Sequence, residues 1–280
     1  MEAMPIGVMT WVLSDPIESL QLAKAVGVKS MQLGCPPDDY SLEEKEKFKN
    51  LLRGSGVKVT TVFCGYTGEN YETMEKIKDT VGFRNPRLRG ERVRRTFQIS
   101  DFAKELGVSA IAAHIGFVPE NQRDPIYKEI VETMQKIADH CKGNGQNFAL
   151  ETGQEPAKTL LRFIKDTKRN NIMVNFDPAN MLFYGSGDPI EALDILRGYV
   201  IGVHCKDVKI ATKDGQKSIE VPFGEGDVGA EKFLRKLREI GYDGPLTIER
   251  ELQDHEEQKR EMIKAKKALE ILRAKVISST

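Results

Sequence analysis

One recurrent junction constrains this chain more than any other feature: a charged or amphipathic run, then a glycine, then a short β-branched strand. It appears as AVGVKSMQL around Gly27, GSGVKVTTVF around Gly56, ELGVSAIAAHI around Gly107 and GNGQNFALE around Gly145. It returns as LRGYVIGVH around Gly198 and EIGYDGPLTIE around Gly241. A glycine just past a helix takes the left-handed conformation without Cβ strain, and a strand can begin almost at once. Each junction therefore predicts one helix-to-strand unit.

Helix starts give a matching signal. Asp-Pro recurs at Asp15-Pro16, Asp124-Pro125 and Asp188-Pro189, and Glu155-Pro156 is similar. An acidic N-cap followed by proline satisfies free backbone amides and presets φ. Caps and hydrophobic periods together predict strands near 6–13, 28–34, 57–63, 109–114, 146–151, 172–177, 199–204 and 245–249. Helices are predicted near 15–26, 41–53, 91–106, 124–142, 156–168, 188–197, 229–240 and 254–276. Eight alternating units in 280 residues predict the α/β class and a single (β/α)8 TIM barrel over 1–280. The rival, a doubly wound open sheet, gains nothing, because no G-x-G-x-x-G follows the first strand. The long connections 64–90 and 205–228 both follow strands, on the face where barrel enzymes build their sites.

Composition narrows the partners. With 42 basic and 42 acidic side chains the formal net charge is zero, which argues against a broad basic surface for nucleic acid or an anionic membrane. Cys35, Cys64, Cys141 and Cys205 are widely spaced and predict neither a disulfide framework nor a thiolate zinc site. The N-terminal Met1-Glu2-Ala3-Met4-Pro5 has no basic leader segment, and no apolar run approaches a membrane span. A cytoplasmic protein is the expectation, with a homo-oligomer compatible with it.

Four consecutive predicted strands end in a metal-binding residue type: Glu151 in FALE, Asp177 in VNFD, His204 in VIGVH and Glu249 in LTIE. Strand side chains alternate, so the residues two positions earlier, Ala149, Asn175, Gly202 and Thr247, share their inward parity. All are small or polar, whereas Leu150, Phe176, Val203 and Ile248 are the bulky neighbours expected to face the helices. Strand 4 continues the pattern with Ala110, Ala112 and His114 inward. Three carboxylates converging on one imidazole would be costly without a cation, and a divalent metal resolves the cost. The donor set suits Mn²⁺, Mg²⁺, Co²⁺ or Zn²⁺ alike.

At these residues the chain resembles the xylose isomerase-like TIM barrel superfamily, in its sugar phosphate isomerase/epimerase branch. The marks are LETG at Glu151, FDPAN at Asp177, HCKD at His204, GEGDVG from Gly224 to Gly229, and GYDGPLTIERE around Glu249. The resemblance covers essentially the whole chain. It implies one divalent metal held by Glu151, Asp177, His204 and Glu249, with Glu151 and Glu249 also moving protons. Asn180 stands where ketose 3-epimerases of the family carry a histidine, and Lys206-Asp207-Val208-Lys209 stands where they carry an arginine. The related endonuclease IV needs further metal-binding histidines, at two of which this chain has Asn180 and Cys64.

The function so implied is a metal-dependent isomerase or epimerase of a sugar, sugar phosphate or polyol ketone, working through an enediolate. A dehydratase of the inosose type is the alternative, since the same intermediate can expel a β-hydroxyl. A non-catalytic sugar- or metal-binding barrel and an endonuclease IV-like hydrolase are more remote. The expected substrate contacts are Lys206, of the same parity as His204, together with His114, Trp11 and Asn180. For Lys206 the competing reading is a surface ion pair with Asp207, and for His114 a structural hydrogen bond. Asp177 has a competing reading as a helix cap, but 179–187 shows no helical period of its own. Arg84, Arg87, Arg89, Arg92, Arg94 and Arg95 fall at the predicted entrance to the third helix, where basic residues are disfavoured. They call for a phosphate, a carboxylate, a subunit contact or a solvated face. His140 and His255 are expected at the surface.

Overall fold

The computed structural model describes residues 3–11, 14–211 and 218–278. Eight parallel strands close into a barrel: β1 (Ile6–Met9), β2 (Ser30–Gly34), β3 (Lys58–Phe63), β4 (Ala110–Ala113), β5 (Asn147–Glu151), β6 (Ile172–Phe176), β7 (Val200–Cys205) and β10 (Leu246–Ile248). A two-stranded antiparallel hairpin, β8 (Asp207–Lys209) with β9 (Ile219–Val221), follows β7 at the barrel mouth. The expected (β/α)8 barrel is therefore present. Positions 12 and 13 of the predicted first strand lie outside the described residues.

All six junction glycines do what the sequence asks of them. Gly27, Gly56, Gly107, Gly145, Gly198 and Gly241 have φ between 72° and 86°. The three Asp-Pro pairs also cap as expected, with Asp15, Asp124 and Asp188 accepting from backbone amides of α1 (Pro16–Val26), α5 (Pro125–Gly143) and α8 (Pro189–Leu196). Glu155 differs: α6 (Ala157–Thr167) has no side-chain cap.

Two helix expectations need correction. The third predicted helix begins five residues early, as α4 (Pro86–Glu105), because Asn85 caps it and Pro86 occupies its first turn. An amide caps as well as an acid, and the Asn-Pro pair is the same device as Asp-Pro. Five of the six arginines accordingly lie along the helix, with Arg84 just before it, and Arg84, Arg89, Arg92 and Arg95 serve loop carbonyls. Arg89 donates to Phe83 O and Arg84 O and pairs with Glu129 at 2.7 Å. Arg92 donates to Gly82 O with its guanidinium 5.3 Å from the Tyr66 ring centre, and Arg95 donates to Pro36 O beside Asp38. The second correction is α7 (Pro178–Tyr184), a short helix in a segment read as non-helical.

The main core lies between the barrel and its helices, where Val8, Met31, Val62, Ile111, Leu150, Phe176, Val203 and Ile248 are buried. Inside the barrel the packing is thinner: Met9, Phe63, Ala112 and Ala149 form a separate cluster. Small residues there leave room for a polar layer. Gln32 donates to Asn175 across 2.8 Å, and a Cβ on Gly202 would stand 2.4 Å from Asn175 Oδ1. The inward parity expected for Asn175 and Gly202 is thus observed, and the bare glycine is a steric requirement. No helix among the described residues is long and apolar enough to cross a membrane. The four cysteines are free and buried.

Candidate active site

The strand ends bring Glu151, Asp177, His204 and Glu249 to one point, with one potential ligand atom from each lying within 4.8 Å of all the others. His204 Nδ1 stands 2.9 Å from Glu151 Oε1, 3.0 Å from Glu249 Oε2 and 3.4 Å from Asp177 Oδ2. Its other nitrogen, Nε2, lies 2.8 Å from Gln32 Oε1, an oxygen that can only accept. Asn175 Nδ2 lies 3.1 Å from the same nitrogen, so the polar layer of the barrel holds Nε2 and leaves Nδ1 as the nitrogen that faces the acids.

Asp177 is a helix cap, the competing reading for it, and also faces the cluster. Oδ1 accepts from Asn180 N and caps α7, while Oδ2 faces the cluster. The short helix therefore fixes the carboxylate that it begins with. Asp177 Oδ2, His204 Nδ1 and Glu249 Oε2 are buried polar atoms without a hydrogen-bond partner. Buried polar atoms left without a hydrogen bond are rare in proteins, and three converging on one point fit a site for a divalent cation.

Charge is strongly redistributed here. Burial alone would raise Glu151, but His114 and His204 outweigh it and hold the carboxyl at about 2. Glu249 is likewise held low against burial by His204 and Lys206. Burial raises Asp177 despite the nearby Lys206. Both histidines move up against burial: His204 through Glu249 and Glu151, and His114 through Glu151 to about 9.

Around this floor lies a cavity of about 470 Å³ that reaches all four expected substrate contacts. His114 Nε2 lies 2.7 Å from Glu151 Oε2. Asn180 Nδ2 reaches Glu151 Oε1 at 3.5 Å. Trp11 donates its indole N–H to Gln258 Oε1 at 2.6 Å and stacks on His255 at 6.0 Å. Lys206 is 7% exposed and pairs with Glu251 at 2.5 Å and Glu249 at 3.3 Å. The Lys206–Asp207 surface pair is not formed. Asp207 is fully buried and accepts four backbone amides, from Val208, Gly224, Gly226 and Val228. His255 is exposed as expected, whereas His140 is partly covered, stacking on Phe97 at 4.2 Å.

Several cavity residues carried no legible signal in the sequence. Glu69, Tyr71, Glu220, Arg250 and Glu251 come from loops and from the hairpin, where periodicity says nothing about direction. Gln32, beneath the cavity, does leave a signal, since a glutamine at the centre of the apolar second strand marks an inward polar position.

The architecture has counterparts in known proteins. A solved xylose isomerase domain protein from Planctomyces limnophilus superposes with a TM-score of 0.92, at 40% identity over 99% of both chains. An uncharacterised protein of Methanocaldococcus jannaschii, MJ1311, is 29% identical, and the match spans 59% of this chain and 60% of that protein. L-ribulose-5-phosphate 3-epimerase UlaE of Escherichia coli is 24% identical over 89% of this chain and 87% of its own length. The sequence profile of one barrel family matches residues 20–275, a range that includes all four converging residues, and the chain belongs to that xylose isomerase-like TIM barrel family.

Proposed function

We propose that this protein is a divalent-metal-dependent isomerase or epimerase of a sugar, sugar phosphate or related polyol ketone. The observation that carries the reading is the convergence of Glu151 and Glu249 on His204 Nδ1, at 2.9 and 3.0 Å, on the floor of one cavity. Glu151, Asp177, His204 and Glu249 would hold the metal, whose contribution when bound is Lewis-acid stabilisation of negative charge on the substrate's carbonyl and neighbouring hydroxyl oxygens.

Proton transfer falls to the chain itself. Removing a proton beside a carbonyl requires an ionised base, and both glutamates are held ionised by neighbouring cations. One takes the proton from one carbon and later releases it to solvent, while the other first draws a proton from solvent and then delivers it to the adjacent carbon or the opposite face. His114 and Asn180 keep Glu151 oriented, and Lys206 keeps Glu249 oriented. Trp11, with its ring fixed by Gln258, offers an apolar wall to the substrate carbon chain. Similarity to an epimerase over most of both chains supports the same chemistry.

Solvent-hydrogen exchange provides the test. In D₂O with Mn²⁺, NMR should show deuterium entering the carbon next to the carbonyl of a ketose substrate, and Glu249→Gln should abolish it while circular dichroism stays unchanged. A dehydrated product would reassign the protein as a lyase. Equal exchange by Glu249→Gln and the wild type would reject the role of Glu249.

A further inference from the structure

We infer that Gln32 is a positioning residue for His204: it reaches across the barrel interior and, locked in place by Asn175, holds the imidazole Nε2 so that Nδ1 is aimed at the cation. This rests on the metal reading proposed above and adds to it a residue from the far side of the barrel.

Around the closed barrel β2 stands directly opposite β6, and β7 is the neighbour of β6. Gln32 on β2 nevertheless meets both. Its Nε2 donates to Asn175 Oδ1 on β6 at 2.8 Å, and its Oε1 lies 2.8 Å from His204 Nε2 on β7. Asn175 Nδ2 closes the triangle, 3.1 Å from the same imidazole nitrogen. All three side chains are buried. Burying polar groups is unfavourable unless they are hydrogen-bonded, and bulky branched apolar residues dominate the interior of such barrels. A polar triangle at this depth therefore displaces the simpler solution.

The backbone is adjusted around the same residues. The β2–β3 register shifts between Met31 and Gln32, and the β6–β7 register shifts between Val174 and Asn175. Among the described residues the other six barrel pairings run without a shift. An extra residue in one strand re-aims the side chains beside it, and such bulges gather next to active sites. Gly202, the register partner of Asn175, clears the space, since a Cβ there would stand 2.4 Å from Asn175 Oδ1 and 3.0 Å from Gln32 Nε2. Toward the N-terminal ends of the strands Gln32 borders a second cavity of about 140 Å³, where Thr60, Thr61, Ser109, Asn147 and Thr247 contribute polar walls. Polar space of this size is filled by water, which does not clamp a side chain as packing does. Hydrogen bonds therefore set the position of Gln32.

A cation on Nδ1 leaves the ring hydrogen on Nε2. Gln32 Oε1 is placed to accept it, and the bond from Gln32 Nε2 to Asn175 keeps that oxygen from turning away. Fixing the second nitrogen in this way sets the ring orientation and raises the basicity of the first.

Calorimetric titration of the metal-free full chain with Mn²⁺ tests the role, with circular dichroism and the metal-free melting temperature as controls for folding. Gln32→Met keeps the length of the side chain but removes its acceptor, and should bind Mn²⁺ about 10- to 100-fold more weakly. Gln32→Glu keeps an acceptor for Nε2 and should match or exceed the wild-type affinity. Gly202→Ala retains every polar group of the triangle but crowds Asn175 and Gln32, and should also weaken binding; it carries the test if Gln32→Met does not fold. Wild-type affinity in a folded Gln32→Met or in Gly202→Ala overturns the inference while leaving the metal site intact. Equal losses in Gln32→Met and Gln32→Glu overturn it too, because packing alone would then explain both. A wild-type protein that binds no Mn²⁺ removes the metal reading, and this inference with it.

Discussion

His114 Nε2 and Glu151 Oε2 lie 2.7 Å apart, which ties the end of β4 to the end of β5 at the floor of the cavity. His114 is raised to about 9, through Glu151 and against burial, so it is a cation at neutral pH and its charge holds Glu151 near 2. Replacing it with asparagine keeps a donor of similar reach but removes the charge. The expected outcome for His114→Asn is a 10- to 100-fold loss of turnover, the usual scale for a partner that orients a ligating group. The acid limb of the pH–rate profile should also move upward, because a Glu151 without its cation ionises only at higher pH. A profile that falls in amplitude without shifting would mean that His114 orients Glu151 by its hydrogen bond alone.

Asp177 Oδ2, His204 Nδ1 and Glu249 Oε2, buried together without hydrogen bonds, lead to a prediction about metal. Titrating the metal-free protein with Mn²⁺, Mg²⁺, Co²⁺ or Zn²⁺ should raise its melting temperature, since a ligand at a hundredfold excess over Kd stabilises by about 2.7 kcal/mol. His204→Ala removes the only nitrogen donor of the cluster and should abolish the shift. Calorimetric titration should agree, giving one cation per chain in the wild type and none in the variant. A full shift in His204→Ala would place the cation elsewhere.

The barrel and its site were not equally legible in the sequence. Glycine ends and Asp-Pro starts are local devices, and each acted where it stood: all six junction glycines are left-handed and all three Asp-Pro pairs cap. The convergence of Glu151, Asp177, His204 and Glu249 was also readable, because alternation along a strand fixes which side chains point inward. The Arg84–Arg95 run misled because its arginines obscured the Asn85-Pro86 start, and their targets are carbonyls that sequence does not mark. The hairpin of β8 and β9 has strands of three residues, too short for a period. Asp207 looked like a surface partner for Lys206, and only the folding of the 224–228 loop around it makes it a buried acceptor.

Glu155 predicts a pH effect on stability. Its carboxylate is buried with no well-formed hydrogen bond to either oxygen, and burial raises it to about 8 against the weaker pull of His114 and the nearby backbone amides. The folded protein therefore holds this proton more tightly than the unfolded chain does. The contribution is fully present below the ordinary carboxylate range and is lost as pH rises toward 8, at no more than about 1.4 kcal/mol per pH unit. Glutamine has nearly the shape of the protonated side chain and cannot ionise. Glu155→Gln should match the wild-type melting temperature near pH 5 and exceed it near pH 8.5. Parallel melting curves across that range would show that Glu155 gains a charged-state partner in solution.

Gly226 tests whether the filled amide nest holds the mouth together. A Cβ there would meet Asp207 Oδ1 at 2.2 Å, Asp207 Cγ at 2.6 Å and Val208 O at 2.6 Å, and two of these three atoms belong to the buried carboxylate that organises the loop. Neither the fully buried Asp207 nor the backbone of β8 has an easy direction of retreat. Gly226→Ala should therefore cost about 1–3 kcal/mol, the range for forced overpacking. The damage should be local, because the loop stands outside the closed barrel ladder. Hydrogen exchange is expected to rise at the amides of Gly224, Gly226 and Val228 while the amides of β4 to β6 keep their protection. Lys206 adjoins Asp207 in the chain and orients Glu249, so turnover should fall further than global stability does. Uniform deprotection of barrel and loop together would mean instead that the Asp207 nest is part of the folding core.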